Sequence, residues 1–497
     1  MLKNIYKYFS TFFTPHPIGD PYLEFVSPSD EFLLIDSKES SKEISLKTNR
    51  NVLVTYIDSA SNNSANWING YASDLHKGTV NLQILVHKTI IRRAATITVT
   101  TIPIDGEDAK QATISILLRQ STIHLSSAGT LIDYFGGAVE GGGFYDSKKI
   151  DICGKMDARD IHYMNDYMRL LNEIDIRSVT IVAYTGNAIF GSQTTYPANE
   201  IPQHSFSEKN HLTSIILPAN LISIGERAFW DSPKLTSVTI PDCLTSIGLG
   251  AFSYCRDLSS INIPDNVTSI QDETFMFCEK LNSVSFPSGL VSIGEMAFLR
   301  CENLQTLFFP NGLKSIGNRA FEYCTGLKSV TLPVGLTSIG ENAFIGCSGL
   351  SELLLPVGLT SIKQESFQDC SGLKTITFPI GLTSIGARAF FGCNDLKDLY
   401  LPDGLINIEH GAFYFCTGLK TVILPSSLTS IGSSAFEYCE NIEEITCYSV
   451  DPSKIEIVSD LFSDIDKSSC ILKVPAVAVE NYKNLPVWQE FKNIQAL

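Results

Sequence analysis

Over residues 235–256, LTSVTIPDCLTSIGLGAFSYCR, apolar and polar positions follow a pattern that half of the chain repeats. Val238 and Ile240 alternate with Ser237 and Thr239, which predicts a short strand with the first pair turned inward and the second outward. Pro241 ends that strand, because it has no N–H to give to a ladder. Leu244 and Ile247 make a second apolar set, and Gly248 follows, whose freedom at positive φ suits a turn into A-F-x-x-C. One coil is therefore predicted to run strand, turn, extended segment, and a short helical or 3₁₀ piece.

The unit returns every 23 residues, with prolines from Pro218 to Pro425, phenylalanines from Phe229 to Phe436 and cysteines from Cys255 to Cys439 in unbroken columns. Such self-similarity is the mark of a solenoid, where no unit buries its apolar face alone and stacked neighbours share one core. Exceptions inform the packing. The Gly column reads Gln271, Lys363 and Glu409 in three coils, so positive φ is not obligatory there. The Ala column admits only Thr274 and Ser366, which predicts a tight contact.

Before the repeats the pattern differs. Residues 22–120 carry short Thr-, Val- and Ile-rich runs (NVLVTYID, TVNLQILVHK, AATITVTTI, ATISILLRQ) between polar turns, which predicts an Ig-like antiparallel β-sandwich after a tail at 1–21. Residues 121–211 join the two parts. Gly-rich FGGAVEGGGF (residues 135–144) reads as a flexible crossing without the GK[ST] ending of a phosphate loop. KKIDICG reads as a strand, and the run from Asp157 reads as a helix with Ile161, Met164, Met168 and Leu171 on one face. Phe206 lies one step before Phe229, so degenerate first coils form an N-terminal cap of the 212–446 solenoid. After Thr446 the period fails, and 447–497, with Tyr482, Trp488 and Phe491, reads as a C-terminal cap over the last coil.

The pattern L-x-x-I-x-L-P-x-x-L-x-x-I-G-x-x-A-F-x-x-C resembles the leucine-rich repeat of the BspA-like (TpLRR) type. The resemblance implies a surface protein, placed at the cell surface or outside the cell. Trp67-Ile68 after a polar stretch, Arg93-Ala-Ala-Thr-Ile-Thr-Val and the strand ending at Gln120 resemble a BACON-type domain, which implies contact with carbohydrate or mucin. Under that resemblance Trp67 is a candidate for stacking on a sugar ring, against its reading as a core aromatic.

Composition narrows the partners. The 497 residues hold 53 acidic against 37 basic side chains, a net charge of −16. No Lys/Arg cluster suggests a nucleic-acid footprint, and an acidic surface repels phosphate backbones. No apolar run of about 18 residues is present, which argues against a transmembrane helix. The first 26 residues make a poor secretory signal, their F-S-T-F-F run being short and broken. Nine of 13 cysteines share one column and read as buried free thiols, because parallel side chains in a file are poorly aimed for disulfide geometry.

No catalytic constellation emerges. The eight histidines are scattered, without HExxH, a paired C-x-x-C or G-x-S-x-G, so no enzyme, no cofactor and no metal is expected. What remains is the outward strand column, a hydroxyl-lined face studded with Phe308, Leu354, Tyr400 and Ile423. Exposed apolar groups with polar rims mark contact sites, although the same residue types also simply favour strands. The sequence supports a non-enzymatic adhesin-like binder of a host or microbial protein or glycan. The alternative is a structural spacer or scaffold component of an envelope or polysaccharide-uptake assembly.

Overall fold

The computed structural model describes residues 123–133, 148–457 and 460–497 in full, the backbone of Tyr134 and, before them, the backbone of eight strands. The calls on the 1–21 tail, Trp67 and the Gly-rich 135–144 run lie outside the described residues. The chain divides into two compact units, Met1–Gly141 with Ile150–Gly154, and Gly142–Lys149 with Lys155–Leu497. It is mainly β with few, short helices.

In the first unit the strands are Leu23–Ser27 (β1), Phe32–Ile35 (β2), Ser41–Thr48 (β3), Val52–Asp58 (β4), Ile68–Ser73 (β5), Gly78–Val86 (β6), Ala94–Thr101 (β7) and Thr113–Gln120 (β8). They pair as two four-stranded sheets, β1-β3-β6-β5 and β2-β8-β7-β4. The four sequence runs fall on β4, β6, β7 and β8. Pairing is antiparallel except between β2 and β8, where Phe32 faces Leu117 in a parallel ladder. Ile123–Leu125 (β9) pairs in parallel with the Ile152–Gly154 part of Lys149–Met156 (β10), after which Leu131–Tyr134 (α1) is a single turn.

The second unit contains a ten-residue helix, Ala158–Tyr167 (α2). Asp157 caps it: its carboxylate accepts from Arg159 N at 2.9 Å while the Asp160 carboxylate accepts from Asp157 N at 3.0 Å, a reciprocal capping box. The helix is shorter than its periodicity suggested. Met168 already leaves helical geometry, yet Met168 and Leu171 are buried with Ile161 and Met164 because the chain continues under the same apolar face. Glu173–Ile181 (β11) then starts the stack, Glu173 pairing with Ser214.

From there each coil lays down two short strands, which pair in parallel register with those of neighbouring coils, as in Ser214 on Ser237 and Ser223 on Ser246, in several separate ladders. Inward residues such as Ile261, Leu307, Leu353 and Leu399 are buried. Beneath them the rings from Phe206 to Phe436 form one continuous stack, neighbouring centroids 5.1 Å apart at Phe229–Phe252 and 5.6 Å at Phe252–Phe275. Phe286 and Phe378 reach that stack from the strand side at 5.8 Å and nearly perpendicular, so strands and ring column close on one core.

Two expectations about the coil are corrected. The A-F-x-x-C segment is not helical. Its backbone turns left-handed just before and near the end of the segment, with positive φ at Gly250 and Tyr254 and at the equivalents of each from Arg227 to Ser434 and from Asp231 to Tyr438. The amides of Gly250, Phe252 and Tyr254 donate forward to carbonyls of the next coil at 2.7–2.9 Å, while those of Ala251, Ser253 and Cys255 fold back within their own coil. A left-handed non-glycine residue costs roughly 1–2 kcal/mol. The forward hydrogen bonds offset that cost, which a lone helical turn would not offer. Second, Gly248 does not sit at positive φ. A Cβ there would stand 2.6 Å from Glu226 N, so at this coil glycine answers a close backbone approach and not a positive φ, while the coils of Gln271, Lys363 and Glu409 admit a side chain.

The alanine column is as tight as expected, with every member buried. Its exceptions answer those of the glycine column: Thr274 Oγ1 donates to Gln271 O at 2.7 Å and Ser366 Oγ to Lys363 O at 2.9 Å, within the same coils. After Thr446 the coil length turns irregular but the ladder continues. Glu444 pairs with Ile471, and Ile471 with Asn493. Phe462 extends the ring stack, and Tyr482 of Val479–Asn484 (α3) with Trp488 and Phe491 closes it, all buried.

Candidate functional site

The outward strand face follows from alternation. Thr306–Phe308, Glu352–Leu354 and Asp398–Tyr400 each bury the middle residue and expose the outer two. Phe308 is 72% exposed, Leu354 66% and Tyr400 57%. These large apolar groups are unusually open for a soluble surface. Ile423 differs: it is half-buried, held between Tyr400 and Thr446, and Thr446 is itself buried where the cap begins. Three of the four expected face residues thus share one open row.

The row has a finer grain than the 23-residue coil. In the middle of the solenoid the first strands pair in twos, as the separate two-stranded ladders Ser260–Asn262 with Ser283–Ser285, Thr306–Phe308 with Ser329–Thr331, and Glu352–Leu354 with Thr375–Thr377, while Asp398–Tyr400 begins a five-stranded ladder. Phe308, Leu354 and Tyr400 each stand on the first strand of a set, and Thr331 and Thr377 on the second. Large and small residues alternate from Phe308 to Tyr400, and the alternation ends where Tyr400 meets Ile423 on the next rung. Exposed Lys328, Lys374 and Lys420 enter the second strands, and exposed Glu352 and Asp398 lie on the first. Lys420 is bridged to Glu443 at 2.7 Å.

A second apolar file was not anticipated. Val334, Val357 and Ile380, each following the strand-ending proline, are 72%, 68% and 78% exposed in three successive coils. The signal was present in the sequence: after Ala219 in the first coil that column is Asp242, Asp265, Ser288 and Asn311 before them and Asp403 after, so large apolar residues enter it in these coils.

Other chemistry is weaker. The nine column thiols are free, buried and spent as donors, each to the carbonyl of the phenylalanine one coil back, as in Cys324 Sγ to Phe298 O at 3.3 Å. Burial pushes the thiols from Cys255 to Cys393 well above the ordinary range, the reverse of what a nucleophile needs. Among the described residues no group of three His, Cys, Asp or Glu is placed to hold a metal ion. Nor is any helix among them long and apolar enough to cross a membrane. A cleft of about 430 Å³ between Asn165–Leu170 and Ser207–His211 is lined by opposing charges, Arg169 and Lys209 against Asp166 and Glu208. Lys209 is buried there, donating to Met164 O at 2.9 Å and to Asn165 O at the end of α2, and burial brings its pKa down to about 8. Its donors go to the helix terminus, a structural use.

Residues 192–305, 245–374, 291–400 and 346–467 each match the BspA type leucine-rich repeat region, together more than half of the chain. The chain belongs to that family. Among solved structures, a leucine-rich repeat protein from Bacteroides ovatus is 24% identical, covering 65% of this chain and 88% of that one at a TM-score of 0.48. The T. pallidum leucine-rich repeat protein is 26% identical over 37% of this chain and 78% of its own, TM-score 0.30. A leucine-rich cell surface protein from Faecalibacterium prausnitzii is 26% identical over 56% and 87%, TM-score 0.34. No curated protein matches. In this BspA-type solenoid, columns of Phe, Cys, Gly and Ala build the stack, and the outward columns vary from coil to coil.

Proposed function

We propose that the chain is a non-enzymatic, adhesin-like binding protein, at the cell surface or secreted, that presents its strand face to a protein or glycan. The open row Phe308, Leu354 and Tyr400 carries this reading, with Ile423 at its shielded end. Nothing in the stacking of the coils calls for these groups, since the core is complete beneath them. Residues 22–120 form, in this reading, a BACON-type sandwich that spaces the solenoid or adds a carbohydrate contact through Trp67. The solenoid of 212–446 is bounded by caps at 121–211 and 447–497. The test is binding of the full chain to a glycan array and to a panel of immobilised extracellular-matrix proteins. The reading expects a saturable ligand whose binding falls when Phe308 and Tyr400 are both changed to Ser. Silence across both panels would count against it and favour a spacer or scaffold component of an envelope or polysaccharide-uptake assembly.

A further inference from the structure

We infer that the cleft between Asn165–Leu170 and Ser207–His211 takes a free amino acid, its carboxylate held by Lys209 and Arg169 and its ammonium by Glu208 and Asp166. The site is independent of the strand face.

Lys209 brings a charge that its surroundings do not balance. It is 3% exposed and stands in the column that holds Ser232 one coil later and a cysteine in the coils after that. Those are small neutral donors, and here the donor is a cation. An ammonium has three N–H groups, and two of them go to Met164 O, at 2.9 Å, and to Asn165 O, in the last turn of α2. A helix terminus offers roughly half a negative charge, so about half of the cation is left unmet. Among the described residues no carboxylate forms an ion pair with it, although Asp166 favours its charged form and Arg169 opposes it. Burial brings the pKa down to about 8, so at neutral pH the buried charge persists. A ligand carboxylate in the cleft supplies both the missing counter-charge and an acceptor for the third N–H.

The rim calls for the opposite sign as well. Arg169 and Glu208 line the same cleft, both are exposed, and neither has an oppositely charged partner among the described residues. Arg169 Nε donates to Asp166 O at 3.4 Å, a backbone contact. Glu208 sits at φ 57° with its N–H donating to Trp230 O at 2.7 Å, so the coil, and no cation, sets where its side chain starts. The Asp166 carboxylate meets the His162 imidazole at 3.4 Å and the Asn165 amide at 3.5 Å. Two cations and two anions round one cleft thus leave one another unneutralised, which suits a ligand carrying both signs. A simple anion is repelled by Glu208 and Asp166, and a simple cation by Lys209 and Arg169. The volume, about 430 Å³, lies in the range of small-molecule sites.

The experiment is isothermal titration calorimetry of the full chain with each common L-amino acid, and with acetate and methylammonium as probes of a single charge. Saturable binding of one or more amino acids is expected, with neither single-charge probe binding at the same concentrations. Glu208→Gln and Arg169→Gln should each weaken that binding about tenfold or more, and both should melt as the parent does, because these side chains are exposed and unpaired. Binding should also take up protons. The groups that face Lys209 are Asp166, Arg169, Glu208 and His211, with His162 beside Asp166. A carboxylate added to them raises the Lys209 pKa, so at pH 8, where half of the free lysines are neutral, binding takes up as much as about half a proton, and far less at pH 7. Titrations in buffers of different ionisation enthalpy read this directly. Silence of every amino acid, equal binding of acetate alone, undiminished affinity in either rim variant, or no proton uptake at pH 8 would overturn the inference.

Discussion

Ser232 stands where each later coil has its cysteine, and its hydroxyl donates to Phe206 O at 2.9 Å just as Cys255 Sγ donates to Phe229 O at 3.2 Å. From Ser232 onward the column therefore selects a small buried donor, whereas one coil earlier the position is Lys209. Cys324→Ala should lower stability by about 1–2 kcal/mol, through a lost hydrogen bond and a small void, and Cys324→Ser should cost less. Urea denaturation of the two variants checks this, and equal losses would show that volume alone matters. Lys209 gives a second expectation. Its folded pKa, about 8, lies below the ordinary 10.5, so between these values the unfolded chain binds more protons and stability rises with pH. Below pH 8 the lysine is charged in both states and the penalty is constant. Melting temperatures of the parent should rise from pH 8 to 10 relative to those of Lys209→Met, and parallel profiles would refute the assignment.

Along the coils, every second amide of the A-F-x-x-C segment donates to the next coil, so these N–H groups form a ladder that points toward the C-terminal end. Its last rung needs acceptors, and the chain provides carboxylates: Asp460 accepts from Ser434 N at 3.3 Å and from Ser434 Oγ at 3.0 Å, and Asp464 accepts from Tyr438 N at 3.3 Å. These aspartates act on the ladder as an N-cap acts on a helix, with negative charge at the end where N–H dipoles accumulate. Asp460→Ala and Asp464→Ala should each cost about 0.5–2 kcal/mol, by analogy with helix caps, and speed amide exchange first at Ser434 and Tyr438. Exchange that quickens evenly along the solenoid would contradict the capping role. None of this was legible in the sequence. The left-handed positions hold Arg227, Glu273, Met296 and Tyr323, residues that announce no turn, because the neighbouring coil rather than the residue type holds the backbone there. The glycine column, by contrast, was visible at once but for the wrong reason, close approach instead of positive φ.

For the molecule as a whole, repetition made the solenoid readable: Phe, Pro and Cys recur because each coil meets its neighbours through the same contacts. The candidate face was legible in part. Phe308, Leu354 and Tyr400 stood out by alternation, whereas Ile423 is half-buried beside Thr446, where coils of unequal length break the period. The Val334, Val357 and Ile380 file shows only when columns are compared coil by coil. The central claim is that this face is spare to the fold and used for binding. The most direct measurement is the affinity of the full chain for its ligand, beside its melting temperature, before and after changing Phe308 and Tyr400 together to Ser. The account predicts an unchanged melt and binding weakened about tenfold or more. A lowered melt, or unchanged affinity, would contradict it.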